Sequence, residues 1–231
     1  AVGGAALAAG GVQAALAAFT RLAALLPEDA DAHFLLGRAK RTSGLADEAK
    51  AEFERALALD PNHLDAMTGL GYLLLDTGDY AGADALYTRL AAKGGRTFAG
   101  SAALVGRLGR VEALLGLGRV ADARVQFDGV RPDERTTPAA RVAGTRLALL
   151  DHRPGEAVAS IRPLAEASDA TPSVLALFGD ALYAAGETDL AGPQYERALA
   201  LDASNPEALL GYATILVRGE KGREALEILF R

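Results

Sequence analysis

The chain has 231 residues, of which 51 are Ala, 37 are Leu and 26 are Gly. Half of it is hydrophobic, 23% is charged and the net charge is −6, a balance that excludes a disordered chain, while the lack of a third-residue Gly period excludes collagen. The absence of Cys excludes a disulfide scaffold, thiolate metal sites and a Cys nucleophile, and leaves periplasm and cytoplasm equally open. Ala and Leu head the helix-propensity scale, so the composition predicts helices. So many glycines cannot sit in helix interiors, and they must fall at helix ends or at tight helix contacts.

In chain order, the first stretch, AVGGAALAAGGVQAALAAF, is apolar and uncharged. It lacks the basic leader of a signal peptide. Ala and Gly are weakly hydrophobic and Arg21 follows closely, so it does not predict a membrane span either. The next segment, Ala30–His63, returns almost landmark for landmark from Pro172, and both copies carry ERALALD near their ends. Each has Gly at positions eight and fifteen, Ala at twenty and an aromatic at twenty-four. Frames starting at 30, 64, 104, 138, 172 and 206 are spaced by 34, 40, 34, 34 and 34 residues, and the chain enters an earlier frame at its sixth position. Position twenty is Ala15, Ala49, Ala83, Ala123, Ala157, Ala191 and Ala225. Position twenty-four is Phe19, Phe53, Tyr87, Phe127, Ile161, Tyr195 and Leu229.

This period and these landmarks resemble the tetratricopeptide repeat (TPR). The resemblance implies an all-α fold, an α-solenoid of about seven antiparallel helix pairs forming a right-handed superhelix. Small residues at eight and twenty lie where helix A meets helix B of a pair. The large residue at twenty-four fills the space towards the next pair, and the Gly at fifteen ends helix A in a left-handed conformation. The repeats are 1–29, 30–63, 64–97, 104–137, 138–171, 172–205 and an incomplete 206–231. Residues 98–103 are an insert, read as a hinge between an N-terminal array, 1–97, and a C-terminal one, 104–231. Gly94 and Gly95 are expected to break the helix before it. Pro163, inside a B helix, is expected to kink or shorten that helix. Both ends fall inside repeats, which predicts a piece of a longer array.

No catalytic pattern emerges. His33, His63 and His152 lack metal-ligand spacing, and the Gly-rich pairs Gly69–Gly71 and Gly116–Gly118 lack the Lys-Ser/Thr of a phosphate loop. The chain is read as no enzyme, with no cofactor and no metal. By the resemblance, A helices line a concave groove. The partner-binding residues there are Phe34, Arg38, Arg41, Tyr72, Asp76, Arg146, Asp180, Tyr183 and Arg218, beside Asp65, Leu75, Val142 and Leu149. Aromatic anchors with Arg and Asp between them suit a peptide or helix. The Lys and Asn pattern of the chaperone-tail binders is absent, with Phe34, Arg38, Gly69, Ser173 and Leu177 in its place.

Between Arg96 and Arg162 lie 11 Arg against 7 acidic residues, a net of +4 that leaves −10 elsewhere. That is too weak, and too poor in aromatics, for nucleic acid, so none is expected as a partner. Arg exceeds Lys by 20 to 4, a bias of GC-rich bacterial genomes. The function read here is a protein-interaction scaffold in a bacterial multiprotein assembly, of the envelope, polysaccharide export, pilus or secretion kind by analogy. The alternatives are a self-assembling scaffold, which the charge split permits, and the recognition domain of a larger enzyme.

Overall fold

The computed structural model describes residues 2–230, with side chains from Gly11 onward. Among the described residues there are thirteen α-helices, one 3-10 turn and two short strands. They divide into two compact units, Ala1–Val130 and Arg131–Arg231. The first holds α1 (Val2–Leu25), α2 (Ala30–Thr42), α3 (Ala46–Leu59), α4 (Leu64–Asp76), α5 (Tyr80–Ala91), β1 (Arg96–Thr97), β2 (Gly100–Ser101), α6 (Ala102–Gly116) and α7 (Val120–Asp128). The second holds the 3-10 turn Glu134–Thr136, then α8 (Pro138–Leu150), α9 (Pro154–Ala165), α10 (Pro172–Ala184), α11 (Thr188–Leu201), α12 (Pro206–Arg218) and α13 (Gly222–Leu229). Each unit is an all-α solenoid in which helices pack on their chain neighbours and each A helix also meets the next A helix.

The helix ends follow from local chemistry. Pro138, Pro172 and Pro206 open α8, α10 and α12, where a missing N–H costs nothing. Asp29, His63, Asp79, Thr171 and Asn205 cap their helices by accepting a backbone N–H. Position fifteen has positive φ in every frame from residue 30 onward. Gly44, Gly78, Gly118 and Gly186 adopt it freely, whereas His152 at φ 55 and Glu220 at φ 62 do so against their Cβ atoms.

Three local features bear on the expectations from the repeat frame. Gly10 does not end a helix, because α1 runs unbroken across the first repeat; two adjacent glycines do not stop a helix that needs no turn there. Pro163 lies inside α9, which ends two residues later at Ala165 and is two residues shorter than α3 and α11, in keeping with the expected shortening. The insert is a small antiparallel hairpin, with Arg96 opposite Ser101 and Thr97 opposite Gly100, and it packs against α4 and α6. The compact units divide after Val130, later in the chain than this insert.

The core is as the frame places it. Ala49, Ala83, Ala123, Ala157 and Ala191 have no exposed surface, and neither do Phe53, Tyr87 and Ile161. In the last pair, Leu229 at position twenty-four stays 49% exposed. The left-handed turn of α8 into α9 supplies a test. His152→Gly removes a strain of about 1–2 kcal/mol and adds about 0.4–1 kcal/mol of unfolded-state entropy. Urea unfolding should therefore show a change between about zero and a gain of about 1.6 kcal/mol, and a lower midpoint would contradict the turn assignment.

Candidate functional site

The site surfaces are set by how closely the A helices approach. In the first unit, the Phe53 ring of α3 lies between Gly37 of α2 and Gly69 of α4. A Cβ on those glycines would come within 2.8 and 2.7 Å of the ring. Tyr87 of α5 is held in the same way between Gly71 of α4 and Gly109 of α6. In the second unit Tyr195 of α11 lies between Gly179 of α10 and Gly211 of α12. Each ring meets position eight of its own repeat and position six of the next. Position six, which is Gly69, Gly109 and Gly211 in these repeats, faces the ring.

With α2 and α4 drawn together, their outward side chains interlock. Arg41 donates to Asp76 at 2.9 Å and lies over the Tyr72 ring at 5.9 Å. Burial raises the Tyr72 phenol above its usual range, against the nearby Arg41. Phe34 is only 5% exposed and packs on Phe53 and His63. It is therefore the floor of the surface, a correction to its reading as an open groove residue. Arg38 stands exposed, with its guanidinium 5.5 Å from the Phe34 ring centre and 5.0 Å from that of Phe98.

Phe98, at the tip of the β1–β2 hairpin, joins this surface, and the repeat frame did not group it there. Its ring lies 5.9 Å from Phe34 and 6.2 Å from Tyr72. Its N–H donates to Asp65 at 2.6 Å. The available signal was an aromatic between Gly95 and Gly100, both of which adopt positive φ. Leu75 packs against the core of this unit instead of standing free.

The second unit gathers Arg146, Asp180, Tyr183 and Arg218. Arg146 lies 3.9 Å from Glu207, and Arg218 sits over the Tyr183 ring at 5.3 Å. The Tyr183 hydroxyl is buried without a hydrogen-bond partner. Val142 and Leu149 pack on the core there. Asp180 accepts from the Tyr195 hydroxyl at 2.7 Å, so its carboxylate faces the ring clasp and serves the fold. Burial pushes the Asp180 carboxyl up, with a contribution from Glu207, against the Tyr195 hydrogen bond and Arg146.

The histidines hold structure. His33 bonds Glu52 at 2.7 Å and the Pro27 carbonyl at 3.1 Å. Burial alone would raise the Glu52 carboxyl, but hydrogen bonds from His33 and Lys40 outweigh it and hold it below the usual range. His63 accepts the Ala66 N–H at Nδ1, which leaves Nε2 to donate to Asp31. Among the described residues no group of three or more His, Cys, Asp or Glu is placed to hold a metal. No described helix is long and apolar enough to cross a membrane.

Comparison with known proteins agrees with this geometry. A family model described as tetratricopeptide repeat matches residues 40–108 and 182–231, and a second of the same description matches residues 3–49. The curated relative named as the probable biofilm formation methyltransferase WspC of Pseudomonas putida is 40% identical over 70 residues, 30% of this chain. The chain spans only 16% of the length of that relative. A solved TPR protein of Thermus thermophilus superposes with a TM-score of 0.66 at 22% identity, covering 81% of this chain and 99% of that one. PilW, a type IV pilus biogenesis factor, gives a TM-score of 0.64 at 15% identity, covering 91% of this chain and 93% of that one. At these identities the structures show the fold alone.

Asp180 supplies a pH test. A carboxyl held above its usual range binds a proton more readily folded than unfolded, so its effect on stability worsens as pH rises through the carboxylate range. Asp180→Asn keeps an acceptor for Tyr195 and removes the charge. At pH 7 it should melt at or above the wild type, and the difference should shrink towards pH 3. A variant less stable at pH 7 but matched at pH 3 would contradict this.

Proposed function

The chain belongs to the tetratricopeptide repeat family, and from that premise we propose that it holds a peptide or helix of a partner protein on the A-helix faces of its units. The fold is that of a protein–protein interaction scaffold, a generally non-catalytic architecture. One observation carries the finer reading. The outward residues of neighbouring A helices are already locked to each other, as in Arg41 with Tyr72 and Asp76. Such side chains lose little further freedom when a partner arrives, which is what affinity requires. Tyr and Arg are also the residues that most often dominate protein interfaces. In the second unit Tyr183, Arg218 and Arg146 have the same role.

The process served is a bacterial multiprotein assembly. The likeness to a type IV pilus biogenesis factor supports that class of assembly, with the fold as the shared element. A second reading has its own support. The relative named as a methyltransferase shares one short segment with this chain, consistent with the recognition part of a larger enzyme.

The test is crosslinked capture from the native cell with the full chain as bait. Replacing Tyr72, Arg146 and Tyr183 with Ala should leave the helical circular dichroism intact and reduce capture of specific partners by about tenfold or more, as loss of interface anchors does. Undiminished capture would show that the partner uses another surface. A catalytic polypeptide in the same reading frame would favour the second reading.

A further inference from the structure

The cations on the first unit's A helices are not equivalent. Arg41 is committed to Asp76, Lys40 to Glu48 and Glu52, and Arg110 to Asp84. Arg38 is exposed and has no carboxylate partner among the described residues. It lies instead against two aromatic rings, Phe34 at 5.5 Å and Phe98 at 5.0 Å. Rings attract a guanidinium through its π face and leave the N–H donors at its edge unsatisfied by protein.

This arrangement is fixed from both sides. Phe34 is buried in the core. Phe98 is 45% exposed, yet its backbone is tied to Asp65, and the hairpin beneath it is tied by Thr97, which donates to the Gly100 carbonyl and accepts the Ala99 N–H. An exposed ion pair is ordinarily weak because two long side chains must be ordered to form it. Here one of the two is ordered in advance.

We propose that Arg38, braced by Phe34 and the hairpin's Phe98, is the seat for a side-chain carboxylate, Asp or Glu, of an internal segment of a partner protein. The inference rests on the A-helix reading above and names the partner's chemistry. Charge selects a single carboxylate. Arg41 is committed to Asp76, so Arg38 offers a single guanidinium with no carboxylate partner among the described residues, and the negative charge of Asp65 beside it disfavours a dianion. Planar bidentate recognition by guanidinium matches a carboxylate. The apolar surroundings choose an internal residue over a chain end. Arg38 borders a mostly apolar cavity of about 210 Å³ lined also by Val12, Ala15, Phe19, Leu35, Ala39 and Thr42. In addition, the open face of Phe98 adjoins Tyr72. A segment passing over Arg38 can place apolar side chains at both features, whereas one ending there reaches only one.

The experiment passes three nonapeptide libraries over the immobilised full chain and reads the retained peptides by mass spectrometry. Two are N-acetylated and C-amidated, with Glu or Gln fixed at the centre and uncharged residues elsewhere. The third contains no internal acid and has a free C-terminal carboxylate. The Glu library should be retained about tenfold better than the Gln library, the scale of a good charge-assisted contact. Arg38→Gln, a change at an exposed side chain, should abolish that preference with the circular dichroism unchanged. Phe98→Ala should weaken it several-fold. Equal retention of Glu and Gln, or a preference that survives Arg38→Gln, would overturn the proposal. Retention of the free-acid library above the Glu library would overturn it in favour of chain-end capture. Equal retention of Glu and Gln peptides that is lost in Tyr72→Ala would overturn it while leaving the A-helix surface in place.

Discussion

A flat aromatic ring held between two glycines sets the helix spacing in both units. Phe53, Tyr87 and Tyr195 each sit at position twenty-four of a B helix, and each is clasped by Gly at position eight of its own repeat and position six of the next. One Cβ on either side would enter the ring. Burying such a ring is worth about 1.5–3 kcal/mol, and that gain is available only if both A helices come close. A helix interior would otherwise lose about 1 kcal/mol per Gly relative to Ala, so the glycines make sense only as part of the clasp. The surface chemistry depends on it. Residues a full repeat apart, such as Arg41 and Asp76, meet because the rings draw α2 and α4 together.

The clasp is constant, and what touches its edge varies. At position nine, next to the ring, one repeat carries Tyr72 and another Asp180. Asp180 accepts the Tyr195 hydroxyl, whereas the Tyr87 hydroxyl is buried without a partner. In the repeat of Phe53, position nine is Arg38, whose ring contacts are instead Phe34 and Phe98. A repeated frame with a variable outer position allows one fold to present different surfaces, which is how a solenoid acquires a particular partner.

Most of the fold was legible because the frame repeats. Position fifteen could be predicted as a left-handed turn even where it is His152 or Glu220, since the neighbouring frames have Gly there. The first repeat misled for the complementary reason: Gly10 occupies the right position, but α1 continues through it. The site was less legible. Arg41, Tyr72 and Asp76 touch one another across α2 and α4. Phe34 and Asp180 lie on that face too, yet the first is buried and the second bonds a ring hydroxyl, and periodicity carries no information about depth. Phe98 was hidden because it arrives on a hairpin outside the repeat frame.

The most direct test of the clasp is a double-mutant cycle on Phe53 and Gly69, read by urea unfolding. Beside the native ring, Gly69→Ala should destabilise the first unit, since the new Cβ would lie 2.7 Å from Phe53. In a Phe53→Leu background the same change should be neutral or stabilising by up to about 1 kcal/mol, the ordinary helix preference for Ala over Gly. The account predicts this reversal of sign, with a coupling of about 1–3 kcal/mol. Additive effects, with Gly69→Ala costing the same in both backgrounds, would contradict it.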